Sequence, residues 1–254
     1  MQKISTICSV LNSEDKITIL IKSFLKQNYQ NKELIIVDGG SRDKTISIIR
    51  KFKIKKIKLF LLKKSSIYEA INLGIRKSKG NIINIMGDDD YFATKNIYSL
   101  VNINMKSDIS YLYGDTEYVN SSKKTIRHYS SKNFNKKKIF FGFMPSHTSL
   151  FLRKEIYRKL NYYNTHYKIA SDFNLFFNLL NIKSIKCTYL PITISKMSIG
   201  GISNRSLNSI IISNIESFNI LKKNKVNFPL LRIFFKLTSK FVLFTIFKIK
   251  NFLT

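Results

Sequence analysis

The stretch NIINIMGDDDY, residues 81–91, holds the strongest single clue to the fold. Its mostly apolar start predicts a buried strand, and three adjacent carboxylates, Asp88–Asp90, follow directly. Adjacent carboxylates repel one another, and a divalent cation that prefers hard oxygen ligands, Mg²⁺ or Mn²⁺, relieves that repulsion. Such a cation would also bridge a diphosphate, which indicates chemistry on a nucleotide-activated substrate. The alternative interpretation is an acidic turn that caps the next helix.

The residues before this stretch alternate between strand and helix patterns. Short apolar runs predict three strands, at 4–10, 33–37 and 57–62. Amphipathic patterns predict three helices, at 13–25, from about 41–45 to 52, and at 66–79. Ser13 is the expected N-cap of the first helix and Gly80 the expected C-cap of the third. Such repeated units predict an α/β fold with a mostly parallel sheet, whose ligands bind at the carboxyl ends of the strands, where Asp38 and Asp88–Asp90 fall.

From about residue 108 the pattern changes. Apolar runs predict three more strands, at 110–113, 125–129 and 148–152. Residues 171–181 predict a helix. Its buried side chains are expected to be Phe173, Phe176, Phe177 and Leu180. Because no linker rich in Pro or Gly separates the two parts, one domain is expected over residues 1–204, with halves at 1–107 and 108–204.

The last part of the chain, residues 205–254, is predicted to be a separate helical region. Basic residues recur along one face of a helix over 230–253, at Arg232, Lys236 and Lys240, and again at Lys248. The remaining face is rich in Phe, Leu and Ile, so the sequence predicts a basic amphipathic helix that lies in a membrane interface against anionic headgroups. The alternative is a terminal helix packed on the domain or on a second copy of it.

The composition limits the possible partners. The chain has 254 residues and a formal net charge of +29, from 44 Lys and Arg against 15 Asp and Glu. Such a surface attracts nucleic acid, anionic lipid or phosphorylated substrates, although Lys, Ile and Asn are abundant throughout, as an AT-rich genome would also produce. Cys8 and Cys187 lie in apolar runs and are predicted to be small core residues. Without a signal-peptide pattern or a long uncharged apolar stretch, the expected location is the cytoplasm, on the inner membrane face.

A second candidate ligand site is VDGGSRDKT, residues 37–45, at the end of the second predicted strand. Asp38 can accept a hydrogen bond from a base or a ribose hydroxyl, and Gly40 and Ser41 can approach the ligand at a helix N-terminus that favours anions. By itself the stretch is typical of many strand–turn–helix junctions. It contains neither the G-x-G-x-x-G spacing of dinucleotide-binding folds nor a P-loop.

Together these stretches resemble the family 2 glycosyltransferases, inverting enzymes of the GT-A fold. In the first half the similarity runs through STICSVLN (5–12), SFLKQNY (23–29), ELIIVDGGSRDKT (33–45), YEAINLG (68–74) and GDDD (87–90). In the second half it continues through PSHTSLFLRK (145–154), ASDFNL (170–175) and GGIS (200–203). The double glycine after Asp38 and the run near Tyr68 are similar to the subgroup that builds bacterial surface polysaccharides of the colanic-acid type. The resemblance covers roughly residues 3–204.

The resemblance implies a role for each acidic residue. Asp38 would contact the base or ribose of the donor. Asp88 and Asp90 would bind a divalent cation, Mn²⁺ or Mg²⁺, that holds the donor's diphosphate. Asp89 lies between them on the donor side, and the sequence leaves open which pair of the three binds the metal. Asp172 would be the general base that deprotonates an acceptor hydroxyl.

Other positions have both a functional and a structural interpretation. Asp172 follows a helix start, where an Asp stabilises the first turn in any protein. His147 would contact a phosphate or the acceptor sugar, or be a structural histidine in a turn. Asp115 would reach the site from a neighbouring strand, or be a turn residue. Arg205 would bind phosphate from a glycine-containing loop that closes over the donor. No histidine follows His166, unlike relatives with a late histidine metal ligand, so phosphates and water would complete the metal shell.

The function that the resemblance implies is therefore transfer of one hexose-type sugar, with inversion, from a nucleotide-diphosphate donor, which by the habit of the family would be a UDP-sugar. The predicted acceptor is a growing surface glycan such as an O-antigen or capsule precursor, linked to a polyprenyl diphosphate. Residues 1–107 would bind the donor, residues 108–204 would face the acceptor, and no nucleic acid is expected as a partner. The alternatives are a basic nucleic-acid-binding protein, a non-catalytic relative, and a sugar nucleotidyltransferase, which would need a Gly-rich basic loop after the first strand.

Overall fold

A computed structural model of the chain describes residues 1–141, 143–199 and 206–234. The strands of this part are β1 (Ile4–Val10), β2 (Lys32–Asp38), β3 (Ile57–Leu61), β4 (Ile82–Ile85), β5 (Tyr91–Phe92), β6 (Tyr111–Val119), β7 (Thr125–Tyr129), β8 (Leu150–Arg153) and β9 (Cys187–Ser198). The longer helices are α1 (Ile17–Leu25), α2 (Thr45–Lys51), α3 (Ile67–Lys77), α4 (Ile97–Asn104), α5 (Lys154–Lys159), α6 (Ser171–Leu179) and α7 (Leu207–Lys223). Short 3-10 helices cover Lys136–Phe141 and His147–Ser149.

All of these strands belong to one sheet. Its order is β3-β2-β1-β4-β8-β6-β9-β5, and β7 pairs with β6. Strands β1 to β4 pair in parallel, as the alternating strand and helix patterns predicted. Strand β8 is antiparallel to β4 and β6, β5 is antiparallel to β9, and β7 is antiparallel to β6. The predicted α/β class is therefore confirmed, with a second half of the sheet that is mixed and not mostly parallel.

The carboxyl ends of β1, β2 and β4 lie side by side. Val10, the last residue of β1, pairs with Asp38, the last residue of β2. Ile7 of β1 pairs with Ile85, the last residue of β4. The segments that follow these three strands therefore leave the sheet at one edge, which is where parallel sheets bind their ligands.

Helix α3 packs closely on this part of the sheet. A capping box starts it, because the Ser66 hydroxyl accepts the Glu69 N–H at 3.3 Å and the Glu69 carboxylate accepts the Ser66 N–H at 2.7 Å. Gly74 then lets the helix approach β1, since a Cβ at this position would overlap Cγ2 of Ile7. The same face of α3 buries Ile75 completely.

Apolar side chains fill both faces of the sheet, because successive residues of a strand point to opposite sides. One cluster joins the sheet to α3, α5 and α6, and α7 adds Ile220 and Leu221 to it. The other joins the opposite face to α1 and α4. The predicted buried face of α6 is confirmed by the burial of Phe173, Phe176, Phe177 and Leu180. The division of the chain at 204/205 stays a prediction, although α7 packs into the core of the preceding residues.

Two expected helix ends are wrong. Helix α1 has no side-chain cap, and the hydroxyl of Ser13 donates to Asp88 instead, because the loop after β1 turns towards the acidic stretch. Helix α3 ends before Gly80, with Ser78 as its C-cap. Gly80 is needed for a different reason: its N–H donates to the Ser5 hydroxyl at 2.9 Å, and a Cβ at Gly80 would overlap that hydroxyl.

The two cysteines differ in burial. Cys8 is buried in β1, as expected. Cys187 is exposed, so the prediction that it is a core residue is wrong. It is the first residue of β9, and the strand becomes buried only at Leu190.

The predicted tail helix begins inside the described residues, where 229–234 are helical. The guanidinium of Arg232 lies 5.1 Å from the ring centre of Phe140 and 5.2 Å from that of Phe141. Ile233 packs against the core cluster that contains α6. The start of the basic helix thus packs on the domain, while residues 235–254 lie outside the described part. Within the described ranges, no helix combines the length and the apolar character that a membrane crossing requires.

Candidate active site

The acidic turn lies at the carboxyl end of β4. The N–H of Gly87 donates to Oδ2 of Asp90 at 3.1 Å, which folds the stretch into a tight turn. A Cβ at Gly87 would lie 2.6 Å from the same oxygen, so a larger residue here would displace the Asp90 carboxylate. Asp90 is 3% exposed, and burial together with the neighbouring charge of Asp89 raises the pKa of Asp90 to about 8. Asp90 therefore closes the turn from inside, and its predicted role as a metal ligand stays a prediction.

Asp88 and Asp89 are half-buried and lie on the outer side of the turn. Asp88 accepts a hydrogen bond from the hydroxyl of Ser13, and Asp89 lies 3.6 Å from the ammonium of Lys16. The carbonyl oxygen of Asp89 accepts the hydroxyl of Ser198 at 3.1 Å, so the end of β9 also supports the turn. The loop after β1 and the end of β9 thus hold two carboxylates that are accessible from outside.

These carboxylates fit a divalent cation. Magnesium and manganese prefer oxygen ligands, and such ions are commonly held by one or two carboxylates, with substrate phosphates and water completing the shell. Three adjacent acidic side chains with one lysine nearby leave an excess of negative charge at this edge. Within the described residues, no group of three or more His, Cys, Asp or Glu side chains surrounds a single point.

The loop after β2 is ordered by Asp38. This residue is 1% exposed, and its Oδ1 accepts the N–H groups of Gly40 and Ser41, each at 2.9 Å. Its other oxygen accepts the hydroxyl of Ser41. Gly40 has a φ of +110°, a backbone conformation that favours glycine. Asp38 thus shapes the turn expected at the donor, while its direct contact with a base or ribose stays a prediction.

The loops after β1 and β2 are joined to each other by hydrogen bonds. Asn12 donates its N–H to the Ser41 hydroxyl and accepts the Arg42 N–H at Oδ1, both at 2.9 Å. Further along, the Glu14 carboxylate accepts the Lys44 N–H at 2.8 Å. With the contact between Ser13 and Asp88, the loops after β1, β2 and β4 form one connected surface. The sequence reasoning missed Asn12 and Glu14, although the polar run LNSED after the first strand was a visible signal.

Asp172 lies in the first turn of α6, within residues 108–204, and the prediction that this half faces the acceptor stays a prediction. Its Oδ1 accepts the N–H of Phe173 at 2.7 Å, so it also takes part in the start of the helix. Burial lowers the pKa of His147, and the negative charge of Asp172 opposes that shift. Burial raises the pKa of Tyr68, and the same charge adds to the increase. Asp172, His147 and Tyr68 therefore lie in one neighbourhood.

The position of His147 links this neighbourhood to the acidic turn. His147 begins the short 3-10 helix that directly precedes β8, and β8 pairs with β4. The side-chain amide of Asn84, near the end of β4, donates to the carbonyl oxygens of Thr148 and Leu150, each at 3.0 Å. His147 therefore sits at the end of β4 that carries the acidic turn.

The remaining predicted residues are placed differently. Asp115 is 7% exposed and accepts the Ser131 N–H at 2.7 Å and the Tyr189 hydroxyl at 2.9 Å. It also lies 3.5 Å from Nε2 of His128, so its carboxylate joins β6 to β7 and β9. These contacts favour the structural interpretation, and contact with an acceptor stays a prediction. Arg205 and the glycine-containing loop before it lie outside the described residues.

The structure also adds Glu216 of α7 to this region. Its carboxylate accepts three consecutive backbone N–H groups immediately before α6. No local signal in the sequence identifies this residue, because its partners are main-chain groups far away in the chain.

The chain is similar in sequence to a known protein family and to several individual proteins. The model of the family described as Glycosyl transferase family 2 matches residues 5–177. An uncharacterized glycosyltransferase of Haemophilus influenzae is 35% identical over 118 residues, which are 45% of this chain and 47% of that protein. The Escherichia coli protein named UDP-Glc:alpha-D-GlcNAc-diphosphoundecaprenol beta-1,3-glucosyltransferase WfgD is 24% identical over 191 residues, 74% of each chain. The chain thus spans about half the length of the Haemophilus relative and most of the Escherichia one.

Solved structures share the fold at low sequence identity. Residues 1–349 of Staphylococcus aureus TarS superpose with a TM-score of 0.67 at 17% identity, over 94% of this chain and 73% of that one. A mannosyltransferase from Pyrobaculum calidifontis, solved with GDP-Man and Mn²⁺, gives 0.63 at 13% identity, over 94% and 74%. These likenesses confirm the GT-A fold. Since the family model covers more than half of the sequence, the chain belongs to glycosyl transferase family 2.

Proposed function

We propose that this protein transfers a sugar from a nucleoside-diphosphate donor to an acceptor hydroxyl, with inversion at the anomeric carbon. One observation carries the proposal: the loops after β1, β2 and β4 are hydrogen-bonded into one surface that contains the acidic turn. From the second half of the chain, His147 begins the turn that meets the same end of β4, and Asp172 is proposed to reach this site from the first turn of α6. A donor site and a candidate base therefore meet at the edge where such sheets bind ligands.

On the donor side, the turn after β2 would hold the nucleoside, with Asp38 fixing its shape. The hydroxyl of Ser65, buried next to Gly39 and without a hydrogen-bond partner in the described chain, is a further donor or acceptor for this ligand. Asp88 and Asp90 are the proposed metal ligands, and the greater exposure of Asp89 makes it the alternative to Asp90. A bound Mg²⁺ or Mn²⁺ would neutralise charge on the departing diphosphate.

On the acceptor side, Asp172 would take the proton from the attacking hydroxyl. The acceptor oxygen then forms a bond to the anomeric carbon, while the bond between that carbon and the diphosphate oxygen breaks, and its electron pair leaves with the nucleoside diphosphate. A single displacement of this kind inverts the anomeric centre and needs one base only. His147, whose pKa is lowered by burial, would be a neutral neighbour that contacts the acceptor or a phosphate.

We further propose a UDP-sugar as donor and a polyprenyl-diphosphate-linked glycan as acceptor, on the inner face of the membrane. Two relatives support this choice. The Escherichia coli protein is named for transfer from UDP-Glc to a GlcNAc-diphosphoundecaprenol, and TarS has been solved with UDP-GlcNAc. The net charge of +29 favours anionic headgroups and diphosphates in the same way. Co-sedimentation with anionic and neutral vesicles tests the location, and equal behaviour with both would contradict it.

The donor site is tested by calorimetric binding of UDP, GDP, dTDP and CMP, each with and without Mn²⁺. We expect one nucleotide to bind in a Mn²⁺-dependent manner, and Asp88→Asn to weaken that binding by at least on the order of tenfold, because it removes one charged ligand. Asp89→Asn and Asp90→Asn then decide which second carboxylate binds the metal. Asp108→Asn is the matched control, since this exposed aspartate pairs with Lys186 on the surface. If none of the four nucleotides binds, the proposed function is wrong.

A further inference from the structure

We propose that Glu216 is a positioning residue for Asp172, an inference that rests on the proposed role of Asp172 as the base. The carboxylate of Glu216 accepts the N–H of Lys168 at Oε1, at 2.7 Å. Its Oε2 accepts the N–H groups of Ile169 and Ala170, at 2.9 and 2.8 Å. One side chain thus fixes three consecutive residues that end two positions before Asp172.

Glu216 anchors the backbone that leads into α6, up to and including its N-cap residue. The first N–H groups of a helix have no partner within the helix, and side chains near the N-terminus usually accept them. At α6 the N-cap residue is Ala170, which has no side-chain acceptor, and no side-chain cap bond is present. A carboxylate from α7 binds the Ala170 N–H instead, and hydrogen bonds to a charged acceptor are stronger than neutral ones. The direction in which α6 starts, and with it the position of Asp172, therefore depends on Glu216.

A second helix holds the same segment from the other side. The hydroxyl of Tyr68, on α3, donates to the carbonyl oxygen of Ile169. The ring of Tyr68 stacks on that of Tyr163 at 5.5 Å, and Asn72 exchanges two hydrogen bonds with the backbone of Tyr163, at 2.8 and 2.9 Å. Glu216 therefore accepts the N–H groups of a segment whose carbonyl side is bound to α3. The segment before α6 is fixed between two helices.

Helix α7 is itself fixed by the core. Ile220, one turn after Glu216, is fully buried, and Leu221 is 1% exposed. Both belong to the cluster that contains α3 and α6. Glu216 is thus presented from a rigid support, although α7 lies beyond residues 5–177, the part that the family model matches. Packing of α7 in the cluster that contains α3 and α6 therefore fixes the position of Glu216 relative to α6.

The test compares Glu216→Ala and Glu216→Gln with the wild type in sugar transfer, using a UDP-sugar donor and Mn²⁺. We expect Glu216→Ala to lower kcat by on the order of tenfold or more, with little change in donor KM, since misplacement of a reacting group costs rate and leaves donor binding intact. Glu216→Gln keeps oxygen and loses charge, so it should recover part of the lost kcat. Because Glu216 acts through Asp172, Glu216→Ala should cost little further in an Asp172→Asn background.

Glu33 provides the matched control. It too is a buried carboxylate that holds a distant backbone N–H, that of Lys79. It lies near the start of β2, at the opposite end of the sheet from the site. Glu33→Ala and Glu33→Gln should lower the melting temperature without lowering kcat. If Glu216→Ala lowers only the melting temperature, or lowers kcat and donor affinity equally, the positioning role is wrong.

Hydrogen exchange separates this proposal from the proposed function. In Glu216→Ala the amides of residues 168–170 should lose protection, and in the Glu33 variants they should not. Unchanged protection in Glu216→Ala would overturn the inference whatever the activity. A wild type that binds no donor and transfers no sugar would remove the proposed function, whereas an active wild type matched by Glu216→Ala would remove the Glu216 proposal alone.

Discussion

The two sides of the candidate site are held in place by different kinds of contact. On the donor side, the loops after β1 and β2 bind each other directly, through residues such as Asn12 and Ser41 that immediately follow the strands. On the base side, the segment before α6 is held by α3 and α7, whose positions depend on packing in the core. The loops proposed to bind the donor therefore support each other, whereas the segment that carries the proposed base, Asp172, depends on two helices. Changes in helix packing should reach the base before they reach the donor.

The largest expected effect is a loss of kcat that leaves donor binding unchanged. Asp172→Asn should lower kcat by roughly 10²–10⁴-fold, the usual contribution of a general base, while donor binding remains near that of the wild type. Asn is a good residue for the start of a helix, so the substitution keeps any structural role of Asp172. Steady-state transfer and calorimetric donor binding on the same preparations measure the two quantities. If Asp172→Asn retains full kcat, Asp172 only stabilises the helix start, and the base is another residue.

The distinction between local contacts and contacts far apart in the chain also explains which strands and helices the sequence could predict. Strands β1 to β4 and helices α1, α3 and α6 were predicted because their apolar patterns are local and strong. The α/β class and the family are confirmed. Strands β5 and β8 pair antiparallel with strands far away in the chain, and nothing in a local pattern reports such a partner. Strand β9 has no counterpart among the predicted strands. It is 12 residues long and contains Pro191, a residue that usually argues against a strand inside a sheet.

In the candidate site too, the sequence predicts residues that a local pattern identifies and misses residues whose partners are far away in the chain. Asp38 and Asp88–Asp90 could be found because carboxyl ends of parallel strands meet at one edge, so the chain order alone brings them together. Asp172 and His147 came from the resemblance to the family, and their roles stay predictions. Glu216 could not be found at all, since its partners are backbone N–H groups on another element. Residues proposed to bind substrate can be found in a sequence from their residue type and position. Residues that orient other residues can be found only from their contacts in the structure.

Gly74→Ala tests the distinction between the donor side and the base side, because α3 packs on β1 and also binds the segment before α6. Gly74→Ala places a Cβ where Cγ2 of Ile7 lies, so either α3 or β1 must move. Overpacking of this kind costs about 1–3 kcal/mol of unfolding free energy. Since α3 also carries Tyr68, which binds the segment before α6, we expect kcat to fall more than donor affinity does. Urea unfolding measures the first quantity, and transfer assays with calorimetric donor binding measure the others.

Gly39→Ala is the control for this stability measurement. A Cβ at Gly39 would have its nearest neighbour at 3.6 Å, an ordinary contact, so its loss of unfolding free energy should be smaller. If Gly74→Ala weakens donor binding as much as it lowers kcat, α3 supports both sides equally. The contrast between a self-supported donor side and a helix-supported base would then be wrong.

The smallest effect is expected far from both sides, at Glu33, and it depends on pH. Burial tends to raise the pKa of Glu33, but hydrogen bonds from Lys58, Ser5 and the Lys79 N–H outweigh it and lower the pKa. A carboxyl whose pKa is lower in the folded state stabilises the fold above its unfolded pKa of about 4.5 and loses that contribution as the pH falls through its folded pKa. Glu33→Gln should therefore lower the unfolding free energy by about 2 kcal/mol near neutral pH, the order of a charged hydrogen bond, and by progressively less below about pH 4. Urea unfolding of wild type and variant across this range measures the difference. A difference that stays constant down to the acid limit would mean that Glu33 stabilises the fold through packing and not through its charge.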